Sequence, residues 1–240
     1  MCLIVVAVGV LEESPLALAS NREESPTRPG TPPFVWERPF SHIFAGRDPL
    51  GGGTWLGVGK GGGKGKELVV ALTNRPYDPQ PAERSRGLLV RDLLGEESAA
   101  SAATAAQTAF NSTHYDGCNL VLADRETTWI ADSVSGATKQ LGVGIHLIGL
   151  GEANDPKDKR FKKVRKVMEA YPLCTADDWI THIPVLLSDH GIESICRCQA
   201  EGRPTISADV LTLGKQGVQW VHAQGPPCST KWEKVGSTTP

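Results

Sequence analysis

Cys2-Leu-Ile-Val-Val-Ala-Val-Gly-Val-Leu11 opens the chain behind Met1, and Leu16-Ala-Leu-Ala-Ser20 returns after a turn at residues 12–15. The first run is apolar throughout and rich in β-branched residues, the pattern of a strand buried on both faces. Its return after so short a turn reads as a hairpin that ends in Asn21-Arg22-Glu23-Glu24. A sheet led by such a strand needs cover on both sides.

Working outward, five prolines keep residues 25–39 extended and irregular. A second hairpin follows, with strands over 54–58 and 67–74 and its tip at 59–66. The period then turns helical. Leu88, Leu89, Leu93 and Leu94 recur behind Ser85, a capping residue, and the alanine-rich stretch 98–110 reads as a second helix. Strands resume over 118–123, 127–132, 138–143 and 145–150, joined by turns into a meander. Phe161, Val164, Met168 and Tyr171 mark one face of a basic helix stopped by Pro172. Another helix starts at Thr175, with Asp177 and Asp178 near its positive end, and Pro184 is expected to kink or split it. Strands over 193–198, 208–213 and 218–222 close the chain. This order predicts a mixed α+β fold of mostly antiparallel sheets covered by helices, in one large domain or two small ones.

The chain has 240 residues, 40% of them hydrophobic, enough to bury a sizeable core. Lys and Arg number 25 against 27 Asp and Glu, a net charge of -2, which argues against a dedicated nucleic-acid partner. No apolar stretch approaches the roughly 20 residues that span a bilayer. The first run meets Glu12-Glu13 directly and has no basic segment before it, so neither a signal peptide nor stable membrane insertion is expected, and the expected location is cytoplasmic.

Several motifs are lures. Gly57-Val-Gly59-Lys-Gly61-Gly62 matches G-x-G-x-x-G, but a strand follows it rather than a helix, so a hairpin tip is expected instead of a nucleotide site. The cysteines at 2, 118, 174, 196, 198 and 228 read as free thiols. Cys196 and Cys198 have no second pair at zinc-finger spacing, so they read as strand thiols and no metal or cofactor is expected. The six histidines are scattered singly. The basic run Lys157, Lys159, Arg160, Lys162, Lys163, Arg165 and Lys166 reads first as a solvated helix face, and second as a docking face for an anionic head group.

Cys2 is the residue with chemistry of its own. Removal of Met1 gives it a thiol and a free α-amine on one carbon. An α-amine titrates near 7.7–8.0, so one residue can supply both nucleophile and base. The hairpin returns Arg22 toward the chain start, where a guanidinium favours thiolate over thiol. Glu23 or Glu24 can orient the amine or Arg22, and Asn74 can donate to an oxyanion. The plainer readings stand beside these: a buried strand residue at 2, a surface ion pair between Arg22 and Glu24, and a turn at Asn74 before Pro76.

Met1-Cys-Leu-Ile-Val, Ala19-Ser-Asn-Arg-Glu-Glu24, Ala45-Gly-Arg-Asp48, Gly52-Gly-Thr-Trp-Leu-Gly57, Leu72-Thr-Asn-Arg75 and Ser85-Arg-Gly87 occur in an order that resembles the NRDE family, also called the transport and Golgi organisation protein 2 family. The likeness is dense over residues 1–94, looser around Asn154-Asp155-Pro156 and weak after Thr175. This chain has Glu23 where the family motif has Asp. Where the family has a late Thr-Arg-Ser-Ser segment, it has Arg203-Pro-Thr-Ile-Ser207.

The resemblance implies a four-layer αββα sandwich of the N-terminal nucleophile hydrolase type, as one domain over residues 1–240. It also implies Cys2, Arg22, Glu23, Glu24 and Asn74 as the catalytic set, with Asn21, Trp55 and Asn154 against the substrate. The reaction so implied is hydrolysis of a linear small-molecule amide with an apolar acyl group. The alternative is a non-enzymatic carrier or chaperone for haem, acyl-CoA or lipid, and a blander one is an interaction protein without a small-molecule site.

Overall fold

The computed structural model describes residues 3–60, 65–76, 80–171 and 173–236. In chain order the elements begin with β1 (Leu3–Leu11), β2 (Ser14–Glu23), β3 (Phe34–Val35), β4 (Ile43–Ala45), β5 (Leu56–Gly59) and β6 (Leu68–Asn74). Helices α1 (Arg86–Leu93) and α2 (Ala99–Ser112) follow, then β7 (Cys118–Ala123), β8 (Thr128–Asp132), β9 (Ala137–Gln140) and β10 (Gly144–Ile148). The chain ends with α3 (Lys159–Ala170), α4 (Ala176–Leu187), β11 (Thr205–Gly214), β12 (Gly217–Ala223) and β13 (Glu233–Val235). The strands form two antiparallel sheets, ordered β10-β1-β2-β11-β12-β13 and β3-β4-β5-β6-β7-β8-β9. The fold is mixed α+β, and neither sheet closes into a barrel.

Two compact units contain these sheets: one made of the residues up to 29 and those from 143 onward, the other of residues 30–142. In the first, α3 and α4 cover one sheet face. Leu3, Val5, Ala7, Ala17, Ala19, Leu147, Ala208 and Val210 pack there with Phe161, Val164, Trp179, Ile183 and Leu187. Alanines at 17, 19 and 208 leave room for the fully buried Trp179, whose indole donates to the Leu18 carbonyl at 3.5 Å. The alternate residues Ile4, Val6, Leu16, Leu18, Leu211 and Leu213 are buried too. Burial on both faces is why β1 and β2 read as unbroken apolar runs.

Both helices of this unit begin on polar caps. Thr175 and Asp178 make a reciprocal capping box at the start of α4, and Asp158 caps α3. Pro184 does not split α4. It removes one N–H, while burial of Trp179, Ile183, Leu186 and Leu187 holds the helix through that position. Tyr171 is 71% exposed rather than in the apolar stripe, because α3 ends at Ala170 and the helical period stops with it.

In the second unit α1 and α2 lie on their own sheet, with Leu89, Val90, Leu93, Ala102 and Ala106 against Leu68, Val70, Leu120 and Leu122. Ser85 and Ser98 cap the two helices. A Cβ on Gly53 would stand 2.1 Å from the Gly87 carbonyl carbon, so a glycine is required for the start of α1 to lie that close.

The topology departs from expectation in several places, and β3 and β4 lie where no strand was expected. β7, β8 and β9 are a meander, but β10 leaves it and pairs with β1 instead, from Ile4↔Ile148 to Val8↔Gly144. Residues 193–198 form no strand and belong to an irregular connection between α4 and β11. A short β13 adds to β12, where its pairing runs from Trp220↔Val235 to His222↔Glu233. Among the described residues no helix is long and apolar enough to cross a membrane.

Candidate active site

Leu3 pairs with Asn21 at the open end of the β1–β2 ladder, so Arg22 and Glu23 extend just past the first described residue of β1. On its other side β2 pairs with β11, Glu23 with Thr205 and Arg22 with Ser207. The late Arg203-Pro-Thr-Ile-Ser207 segment therefore flanks the Asn-Arg-Glu-Glu motif. Strand alternation separates neighbours: Asn21 and Glu23 lie on the helix-covered face, Ser20 and Arg22 on the opposite one.

On the helix-covered face, Asn21 is fully buried and donates both amide hydrogens, to the Leu187 and Ile195 carbonyls, each at 3.0 Å. It braces the end of α4 against the connection that follows. Glu23 is also buried. Its Oε1 accepts from Arg160 Nη1 at 3.2 Å and its Oε2 lies 3.8 Å from Arg197 Nη1. Burial pushes its carboxyl up to about 7, against the lowering pull of Arg160 and Arg197. Glu24, at the edge, accepts from Ser25 N at 2.8 Å and sits 3.6 Å from Arg203 and 4.0 Å from Arg28.

Arg22, on the other face, is 6% exposed, and its Nη2 donates to the Arg28 carbonyl at 3.3 Å. The next two strands, β11 and β12, hold a buried acid–imidazole pair. Asp209 Oδ1 lies 2.7 Å from His222 Nδ1 and accepts from Trp220 Nε1 at 2.9 Å. Gln224 Oε1 holds the second ring nitrogen of His222 at 2.7 Å. Burial opposes charge on His222, but the Asp209 carboxylate and these hydrogen bonds hold the imidazole above its usual range. Asp209 pairs with Ser20, so Ser20, Arg22, Ser207, Asp209 and His222 make one polar end on an otherwise apolar sheet face.

Asn154 has φ +62, a conformation asparagine tolerates. Its Oδ1 accepts from Leu147 N at 2.9 Å and its Nδ2 lies 3.1 Å from His146 Nδ1, which fixes it beside β10. Asn74 and Trp55 belong to the second unit. Asn74 is half-buried at the end of β6 opposite Cys118. Trp55 packs its ring over Gly30 and Gly46, where a Cβ would stand 2.1 and 3.0 Å from the indole. Cys2 lies outside the described residues, as do residues 61–64 at the hairpin tip.

A family model described as Transport and Golgi organisation 2 matches residues 1–191. The chain belongs to the Transport and Golgi organisation 2 family. No curated protein matches it. The Transport and Golgi organisation 2 match runs through both units and takes in Arg22, Glu23, Asn74, Asn154 and Arg160. Ser207, Asp209 and His222 lie beyond it.

Three of these residues carried signals in the sequence. Arg160 sits four residues before Val164, on the inward side of a basic helix. Asp209 interrupts an apolar strand, which an acid does only with a buried partner. Arg197 stands inside the C-x-C pair. That pair also departs from expectation: Cys196, Cys198, His190 and Cys228 gather into one cluster of possible metal ligands. Their spacing in the chain hid it, because Cys228 arrives only with the β12–β13 connection.

Proposed function

We propose that this chain is an amidohydrolase that uses Cys2, made N-terminal by removal of Met1, to cleave a linear amide bearing an apolar acyl group. The observation that carries the reading is a buried guanidinium, Arg22, on the strand that pairs with the start of β1. Leu3 pairs with Asn21, so Arg22 lies one residue past the described start of β1. A guanidinium near a thiol favours the thiolate.

The chemistry follows from the residue types. The α-amine takes the thiol proton, and the Cys2 thiolate adds to the amide carbon, forming a C–S bond and an oxyanion. Asn154, in the same unit as Arg22, is the candidate oxyanion donor. Collapse of the adduct breaks the C–N bond, and the α-ammonium protonates the leaving amine. Water then adds to the thioester, gives its proton to the α-amine, and releases the carboxylic acid and the thiol. Glu23 acts at one remove: held by Arg160 and Arg197, it fixes the end of β2 that carries Arg22. The test is turnover of a panel of N-acyl amides of graded chain length. Cys2→Ser should lose most turnover and keep substrate binding, whereas equal turnover in the variant excludes this mechanism.

A groove between α3 and α4 favours a second reading, a carrier for acyl-CoA, haem or lipid. It encloses about 690 Å³ and is lined by Val167, Met168, Leu173, Ile183 and Leu186, with Lys163 at its rim. That volume is ordinary for a small-molecule site. Lys163 is ion-paired with Asp189, which weakens its pull on an external anion and leaves Lys162 as the freer charge to reverse. A carrier should keep acyl-CoA or haem transfer in Cys2→Ser and lose affinity when Lys162 is reversed.

A further inference from the structure

We propose that His190, Cys196, Cys198 and Cys228 form a structural zinc site of the Cys3His type. Cys228 Sγ lies 3.6 Å from Cys196 Sγ and 3.7 Å from Cys198 Sγ, and Cys198 Sγ lies 4.0 Å from His190 Nδ1. All four donor atoms are within 4.8 Å of one another. Zinc–sulfur bonds of about 2.3 Å in a tetrahedron put sulfur atoms about 3.8 Å apart, and a sulfur and a nitrogen about 3.6 Å apart. The donors therefore already stand close to the edges of the tetrahedron zinc requires. A disulfide needs sulfurs about 2.05 Å apart and would join only two of the three thiols.

The donors are soft thiolates with one imidazole, the set that selects zinc over magnesium or calcium. With four protein ligands such a site has no open position for a substrate, which marks it as structural. Binding releases the three thiol protons to solvent, so it strengthens as pH rises.

The location gives the site its use. The connection from Leu187 to Thr205 has no helix or strand of its own, and His190, Cys196 and Cys198 all lie on it. Cys228 lies on the separate connection between β12 and β13. One metal would tie the two together. Arg197, between the two cysteines, has its backbone hydrogen-bonded in both directions to Thr205, at 2.8 and 3.3 Å, and its guanidinium lies 3.8 Å from Glu23. Ile195, next to Cys196, gives its carbonyl to Asn21. The clip would thus set the segment that buttresses Glu23. Three of the four ligands lie beyond residue 191, outside the family match.

The test uses the full chain, purified under reductant, with metal content measured by mass spectrometry of the elements. One zinc per chain is expected, falling to background in Cys198→Ser and Cys228→Ser and unchanged in Cys174→Ser, whose exposed thiol lies elsewhere. Should those variants fold poorly, wild-type protein stripped with chelator and reloaded with cobalt(II) should show the intense visible bands of a tetrahedral thiolate site, which added zinc abolishes. No uptake of zinc or cobalt by the stripped chain would overturn the proposal. So would equal uptake by Cys228→Ser, or a mass two hydrogens light that locates a disulfide among these cysteines. None of these outcomes depends on hydrolase activity.

Discussion

At the residue scale, Glu23 is a buried carboxyl set between Arg160 and Arg197. A carboxyl held up to about 7, against 4.5 when unfolded, binds more protons in the folded chain than in the unfolded one between those values. Stability should therefore fall as pH rises through that window. His222 acts in the same direction further along. Its raised folded value gives a contribution fully present below 6.5 and lost as pH rises through the folded value. Urea unfolding at a series of pH values should show a falling free energy from about pH 4.5 to 7 in the wild type. The slope over that window should flatten in Glu23→Gln, and Asp209→Asn should remove the part that belongs to His222. An unchanged slope in Glu23→Gln would show that this carboxyl is not the group that titrates.

At the scale of elements, Asn21 is the joint between β2, α4 and the connection leading to β11. Asn21→Ala leaves the Leu187 and Ile195 carbonyls buried without these donors, at about 1–3 kcal/mol. Urea unfolding should show a loss of that size, whereas Thr175→Ala at the α4 capping box should lose about 1 kcal/mol. If Asn21→Ala cost less than the cap, these two hydrogen bonds would not hold the joint. The Arg160–Glu23 pair is a second joint, between α3 and β2, and it ties a helix called basic in the sequence to the buried end of the NRDE-type motif.

For the molecule as a whole, the fold was legible wherever the signal was local. The apolar run that contains β1, the capping serine at 85 and the alanine-rich helix are period and cap signals that need only nearby residues, and the structure has β1 over Leu3–Leu11, α1 over Arg86–Leu93 and α2 over Ala99–Ser112. Of the candidate site, the sequence marked single residues and missed their partners. The resemblance marked Arg22, and the structure buries it beside the start of β1. What did not show in the sequence joins positions far apart in the chain: Glu23 with Arg160 and Arg197, Asp209 with His222, and His190 with Cys228. Spacing rules look along the chain, and these groups meet only across the sheet and its loops. The same limit hid the departure of β10 from the meander, which pairing with β1 decides rather than any residue within 144–148.

The most direct test of the central claim is peptide mapping by mass spectrometry after a brief treatment with iodoacetamide near neutral pH, on wild type and Arg22→Ala. The account predicts an N-terminal peptide that begins at Cys2 and is alkylated ahead of the five other thiols. Labelling should slow about tenfold in Arg22→Ala, as a shift of about one pKa unit in the thiol requires. A peptide that still begins at Met1, or a Cys2 that reacts no faster than exposed Cys174 in either protein, would contradict it.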